Sequence, residues 1–206
     1  MNTYKRSPLA LAVLALLIEA PMHPYRMQQL LKSRGKDQVI NIRQRASLYQ
    51  TIERLERDEL IAPDTIERTD GRPDRTIYTV TGLGRKIAVE WLRSMLAEPQ
   101  NEFPEFPVAL SFLGLMTPAE TAALFEARRD FLAGREKKLA ADLASYSATL
   151  PRVLLLENEY QLALDRAERQ WIERLVAEIQ AGTLNWGEAS LRQISHLLEG
   201  QPPKPG

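Results

Sequence analysis

Side chains that can hydrogen-bond bases and phosphates gather in one segment, Gln44 to Thr81. Gln50 can make paired contacts with adenine, and Arg54 with guanine or a phosphate, because each carries two coplanar polar groups. Arg45 falls at the start of the same helical stretch, where the positive end of a helix dipole favours phosphate. Arg72 and Arg75 follow in a Gly/Pro turn and the strand after it, positions suited to a duplex backbone or its minor groove. Ser47 and Tyr49 flank the helix. Two readings stand for Tyr49, a hydroxyl contact to phosphate or sideways packing on the preceding helix. Gln50 and Arg54 are either duplex contacts or ordinary solvated positions, and Arg72 and Arg75 either grip a backbone or merely keep a hairpin tip soluble. Glu53 and Glu56 lie nearby and oppose phosphate.

Other chemistry finds little support. The chain has no cysteine, which removes disulfides and thiolate metal sites and fits a reducing cytoplasm. His23 and His196 are the two histidines, and no carboxylate spacing near either suggests a metal site. Ser47 has no neighbouring histidine and no Gly-x-Ser-x-Gly elbow. The expectation is a protein that is not an enzyme, with no metal and no cofactor. His23 reads as a cap or packing residue.

The elements that must position these groups are legible from periodicity and caps. Ser7-Pro8 starts a helix with an N-cap serine and a proline at the first helical position. Leu9, Val13, Leu16 and Leu17 recur through it at helical spacing, and Pro21 ends it. The apolar run Leu9 to Ile18 spans ten residues, against the roughly 20 a bilayer requires, so it reads as a buried helix and no membrane partner is expected. A second helix runs from Tyr25 to about Ser33 and closes at Gly35. Ile40 and Ile42 alternate with polar neighbours and suggest a short strand that pairs with the hairpin. The third helix reads from Gln44 to Ile61, with Leu48, Ile52 and Leu55 as its inward stripe and Ala46, Gln50, Arg54 and Arg57 opposite. A hairpin from about Ala62 to Val80 follows, turning at Thr69-Asp70-Gly71-Arg72-Pro73-Asp74. Thr81 then caps a fourth helix to about Leu96, with Leu83, Ile87, Trp91 and Met95 spaced by four. Three helices and a basic hairpin are the parts of a winged helix-turn-helix. Lys5 and Arg6 form either a phosphate-binding arm or a frayed end.

The segment Ala97 to Pro107 holds three prolines and marks a boundary. Beyond it Thr117-Pro118-Ala119-Glu120 is a capping box that opens a helix to about Tyr146, with Leu124, Phe131, Leu132, Leu139 and Leu143 as its stripe. Pro151 begins another, with Tyr160, Leu164, Trp171, Leu175 and Ile179 along one face, ending near Gly182. A weaker helix is expected over 188–198. The division expected is a winged helix-turn-helix domain over 1–97, a linker over 98–107, a helical dimerisation domain over 108–199 and a disordered tail over 200–206. The fold class is mostly α with a small β-wing. Net charge is zero, but residues 1–100 hold 16 basic against 12 acidic side chains and residues 101–206 hold 11 against 15. A basic head on an acidic body fits a nucleic-acid binder, although chance partition gives the same numbers. Trp91, Phe106 and Trp171 border the boundary, either as walls of an effector pocket or as core.

The motifs carry a resemblance. Met22-His23-x-Tyr25, Ser47-Leu48-Tyr49, Arg54-Leu55-Glu56, Leu60-Ile61, Ile77-Tyr78-Thr79-Val80-Thr81 and Gly84-Arg85 resemble the PadR family of bacterial transcriptional regulators. Phe106–Leu113, Arg128 and Glu168-x-x-Trp171 resemble the helical C-terminal domain of its longer members. The resemblance implies a homodimer on a palindromic double-stranded operator, usually repressing, and released by a small, often aromatic, effector. It also implies that Tyr25, Ser47 and Tyr49 belong to the DNA-reading surface. Pro24 and Glu59 stand where the family often has glycine, and Glu59 thereby forgoes a glycine cap on the third helix. The alternative function is a winged-helix adaptor that binds protein and reads no DNA; it would carry apolar residues on the outer face of the third helix.

Overall fold

The computed structural model describes residues 4–40, 45–67, 75–100 and 102–187. It divides into two compact units, Met1–Glu102 and Phe103–Gly206.

In the first unit, α1 (Pro8–Glu19) is capped by the Ser7 hydroxyl, which accepts from the Ala10 amide. Nearly all of α1 is apolar, and Ala10, Val13 and Leu14 are fully enclosed. It is the centre on which the other elements pack. α2 (Pro24–Ser33) offers Met27 and Leu31, and α3 (Arg45–Arg57) offers Leu48, Ile52 and Leu55, at 3%, 2% and 1% exposure. The stripe expected on α3 is therefore the buried one. β1 (Ile61–Glu67) and β2 (Arg75–Val80) pair antiparallel, with an irregularity between Pro63 and Thr65. α4 (Gly82–Ala97) is capped by Thr81 and returns Ala88 and Trp91 to the core. This order of elements is a winged helix-turn-helix.

Two expectations for this unit change. β2 is extended on its other edge by Met22, whose N–H and C=O both bond Tyr78 at 3.1 Å. Ile40 lies outside any strand, and Ile42 lies outside the described residues. α3 ends at Arg57 rather than Ile61, because the chain turns left-handed at Glu59, with φ of 58°. The Leu60 amide reaches back to the Leu55 carbonyl and the Glu59 amide to the Glu56 carbonyl, both at 2.9 Å. These are the two bonds of a Schellman cap, whose left-handed residue is ordinarily glycine. Glu59 thus does not forgo the cap; it adopts the glycine conformation itself.

In the second unit, α5 (Glu105–Ser111) begins inside the stretch expected to be linker. Prolines do not prevent this: Pro104 precedes the helix and Pro107 sits in its first turn, where no amide partner is lost. α6 (Pro118–Tyr146) starts at the expected capping box and α7 (Leu156–Gln180) returns antiparallel to it. Gly182, with φ of 73°, closes α7. Phe125, Leu132, Ile172 and Val176 form the core between the two helices. A polar ladder joins them as well: Arg128 to Glu168, Arg135 to the buried Asp165, and Arg169 to Glu136.

The stripes of these long helices differ in part from expectation. Leu124 and Phe131 are 57% and 66% exposed, as are Tyr160 at 66% and Leu164 at 45%. Leu132 and Leu139 on α6 and Ile179 on α7 are buried as expected, and the other inward positions are Phe125 on α6 and Leu162, Ile172 and Val176 on α7. A helix of this length carries apolar residues on more than one face, and spacing alone does not say which face its neighbour covers. The helix expected over 188–198 and the tail over 200–206 lie outside the described residues.

Candidate nucleic-acid interface

The burial of Leu48, Ile52 and Leu55 turns the opposite side of α3 outward. Ala46, Tyr49, Gln50, Glu53 and Arg57 are exposed there. Among the described residues Arg57 meets Asp58, at 3.4 Å with its own side chain 73% exposed, a pairing too solvated to hold it. Ser47 is half-buried, and its carbonyl accepts the Thr51 hydroxyl at 2.7 Å. The side chain of Arg45 and all of Arg72 lie outside the described residues.

Arg54 departs from the expected outer face. It is half-buried and donates to the Ser7 hydroxyl at 3.3 Å. Its position places it on the flank that meets the start of α1, and its long stem carries the guanidinium to that cap.

Tyr25, Tyr49 and Arg75 converge. With His23, Pro24, Ile52, Glu53, Thr76 and Tyr78 they line a cleft of about 290 Å³ between the start of α2, the flank of α3 and β2. The Arg75 guanidinium lies 5.7 Å from the centre of the Tyr25 ring. His23 stacks with the same Tyr25 ring, with centroids 6.2 Å apart and planes at 19°. The His23 imidazole also caps α2, its Nδ1 accepting from the Arg26 amide at 3.1 Å. Tyr25 and Tyr49 are 46% and 49% exposed, so both phenols face outward.

Tyr78, a residue of the family motif to which the sequence assigned no contact, lies in the cleft beside the carboxylates. Burial raises its phenol above the ordinary value, and the Glu56 carboxylate, which the hydroxyl engages, raises it further. One of the two acidic groups that oppose phosphate is thereby drawn toward the wing. The alternation of Thr76 and Tyr78 along β2 was the available signal, since both occupy one face of the strand.

Of the residues expected to line an effector pocket, Trp91 is 8% exposed in the core of the first unit. Phe106 and Trp171 meet edge to face in the second unit, with centroids 6.3 Å apart. Arg128 lies over the Phe106 ring at 3.6 Å and bonds Glu168 at 2.5 Å. Among the described residues no group of His, Asp and Glu could hold a metal ion, and no helix is long and apolar enough to cross a membrane.

Residues 13–90 match the family model described as the transcriptional regulator PadR-like family. Solved structures with similar folds include Bacillus subtilis PadR in complex with operator DNA, at 18% identity and a TM-score of 0.67, over 84% of this chain and 99% of that one. The same protein in complex with p-coumaric acid gives 19% identity and a TM-score of 0.68, over 84% and 98%. A PadR-like transcriptional regulator from Bacillus cereus gives 13% and 0.57, over 84% and 99%. At these identities the likeness is one of fold. A comparison with curated protein sequences finds no match.

Proposed function

We propose that the chain is a cytoplasmic, homodimeric transcriptional repressor that reads a palindromic operator and acts by binding rather than catalysis. The observation that carries this reading is the outer face of α3. Its inward stripe is sealed in the core, and the face left over presents Tyr49, Gln50 and Arg57 beside the Tyr25–Arg75 cleft. An adaptor surface would be apolar there. A helix of this kind fits the major groove, and the wing reaches the flanking backbone. From sequence alone, Arg45, Ser47 and Arg72 are added as DNA contacts. Arg54 would approach DNA only beside the Ser7 cap.

Dimerisation is supported by the second unit, where Leu124, Phe131, Tyr160 and Leu164 remain exposed on long helices. Such apolar surface is characteristic of a subunit contact. Release by a small aromatic effector is supported by the likeness to a regulator solved with p-coumaric acid.

Titrating the full chain with the promoter fragment of its own gene and with a scrambled duplex of equal composition tests the reading. The expected preference is about a thousandfold or more, falling steeply with salt as counterions are released. Gln50→Ala should erode the preference. Equal binding to both duplexes overturns specific recognition.

A further inference from the structure

We infer that the cleft between α2, α3 and β2 is a seat for a single backbone phosphate, in which Arg75 supplies the charge and Tyr25 positions it through its ring. This rests on the DNA-binding reading above and adds a division of labour within it. Arg34 pairs with Glu19, Arg54 bonds Ser7 and Arg6 bonds Ser94, so each of these is turned away from the cleft, while Arg57 has its solvated contact with Asp58. Arg75 makes no ion pair among the described residues, and the Tyr25 ring is the partner the structure gives it.

A guanidinium held against an aromatic face keeps its edge donors available while losing rotational freedom. It is thus fixed before any ligand arrives. The Tyr25 ring is fixed in turn by the His23 stack, and His23 by its cap on α2. The chain of support runs from backbone to imidazole to phenol ring to guanidinium. Tyr49 borders the same space with an exposed hydroxyl. The guanidinium and the Tyr49 phenol at an open cleft suit the tetrahedral oxygens of a phosphate, with the Tyr25 ring as the platform. Glu53 on the wall opposes it, and this gives the proposal a signed consequence. Tyr25 is therefore a positioning residue, and its ring matters more than its hydroxyl.

The test uses the full chain and a labelled duplex of its own promoter, with affinity measured across a salt series. Tyr25→Phe should bind within about twofold of wild type. Tyr25→Leu and Arg75→Gln should each weaken binding about tenfold, and Arg75→Gln should lower the salt slope by about one unit. The Tyr25→Leu, Arg75→Gln double variant should bind no more weakly than Arg75→Gln alone, and Glu53→Gln should bind more tightly than wild type. Thermal melts of each variant report folding separately, and Arg75→Lys, which keeps a charge without the fork, should retain the slope. Loss of binding in Tyr25→Phe equal to that in Tyr25→Leu overturns the positioning role. An unchanged slope in Arg75→Gln overturns the seat while wild-type binding upholds the regulator; no wild-type binding to any duplex removes both. Inorganic phosphate titrated alone separates the sources: Arg75-dependent millimolar binding with an unchanged DNA slope assigns the cleft to free phosphate and overturns the proposal.

Discussion

Gly84 lies directly against the Leu60 carbonyl: a Cβ built at Gly84 would stand 1.9 Å from that oxygen. The same carbonyl accepts the Thr81 amide and the Thr81 hydroxyl, each at 3.1 Å, while the Gly84 amide is capped by that hydroxyl at 2.9 Å. The exit of α3, the base of the wing and the start of α4 are thus joined at one point.

Gly84→Ala should separate these elements. Because the obstacle is backbone, relief requires moving α4 or β1, at a cost of at least about 2 kcal/mol. Thermal or urea unfolding measures it. Wild-type stability in the variant would mean that α4 does not approach Leu60 this closely.

Glu59→Gly should stabilise the protein. A side chain in the left-handed region costs about 1–2 kcal/mol, and glycine's extra backbone freedom in the unfolded chain returns part of that. A net gain of about 0.5–1 kcal/mol in urea unfolding is expected. A loss of comparable size would mean that the Glu59 side chain makes a stabilising contact outweighing its conformation.

These two positions mark how far the sequence could be read. Caps were legible because they are local: Ser7, Thr81 and the Thr117–Glu120 box each bond amides within three residues, as in the structure. The core stripe of α3 was legible because a 13-residue helix has room for one apolar face. The faces of α6 and α7 were legible only in part: Leu132, Leu139 and Ile179 are buried as read, whereas Leu124, Phe131, Tyr160 and Leu164 read as core by spacing and lie exposed. The Glu59 turn was missed because its conformation is set by the cap bonds of Leu60 and Glu59, not by the residue's own preference. In the candidate site, Tyr25, Tyr49 and Arg75 were each legible by type, whereas their meeting in one cleft depends on the Met22–Tyr78 bridge across the fold.

The start of α6 should weaken in acid. The Thr117 hydroxyl and amide, both donating to Glu120, hold its carboxyl below the ordinary value of 4.5. A lowered folded value means this stabilisation is fully present above 4.5 and is lost as pH falls through the lower folded value. Amide exchange at the first turn of α6 should therefore accelerate on acidification, and Glu120→Gln should remove that dependence. A pH-independent wild-type turn would contradict the capping box.

Phe131→Glu should convert the protein to monomer without unfolding it. Phe131 is 66% exposed within the protomer, so its replacement spares the α6–α7 core. A symmetric interface loses the ring twice. At about 1.5–3 kcal/mol per buried ring, dimerisation should weaken a hundredfold or more. Sedimentation reads the mass directly, and a variant that remains dimeric places the contact elsewhere.

A footprint of the full chain on the promoter of its own gene tests the central claim most directly. Two copies presenting α3 to successive major grooves should protect two patches about one helical turn, ~34 Å, apart, related by an inverted repeat. A single protected patch, or uniform protection along the fragment, would contradict a paired reading head.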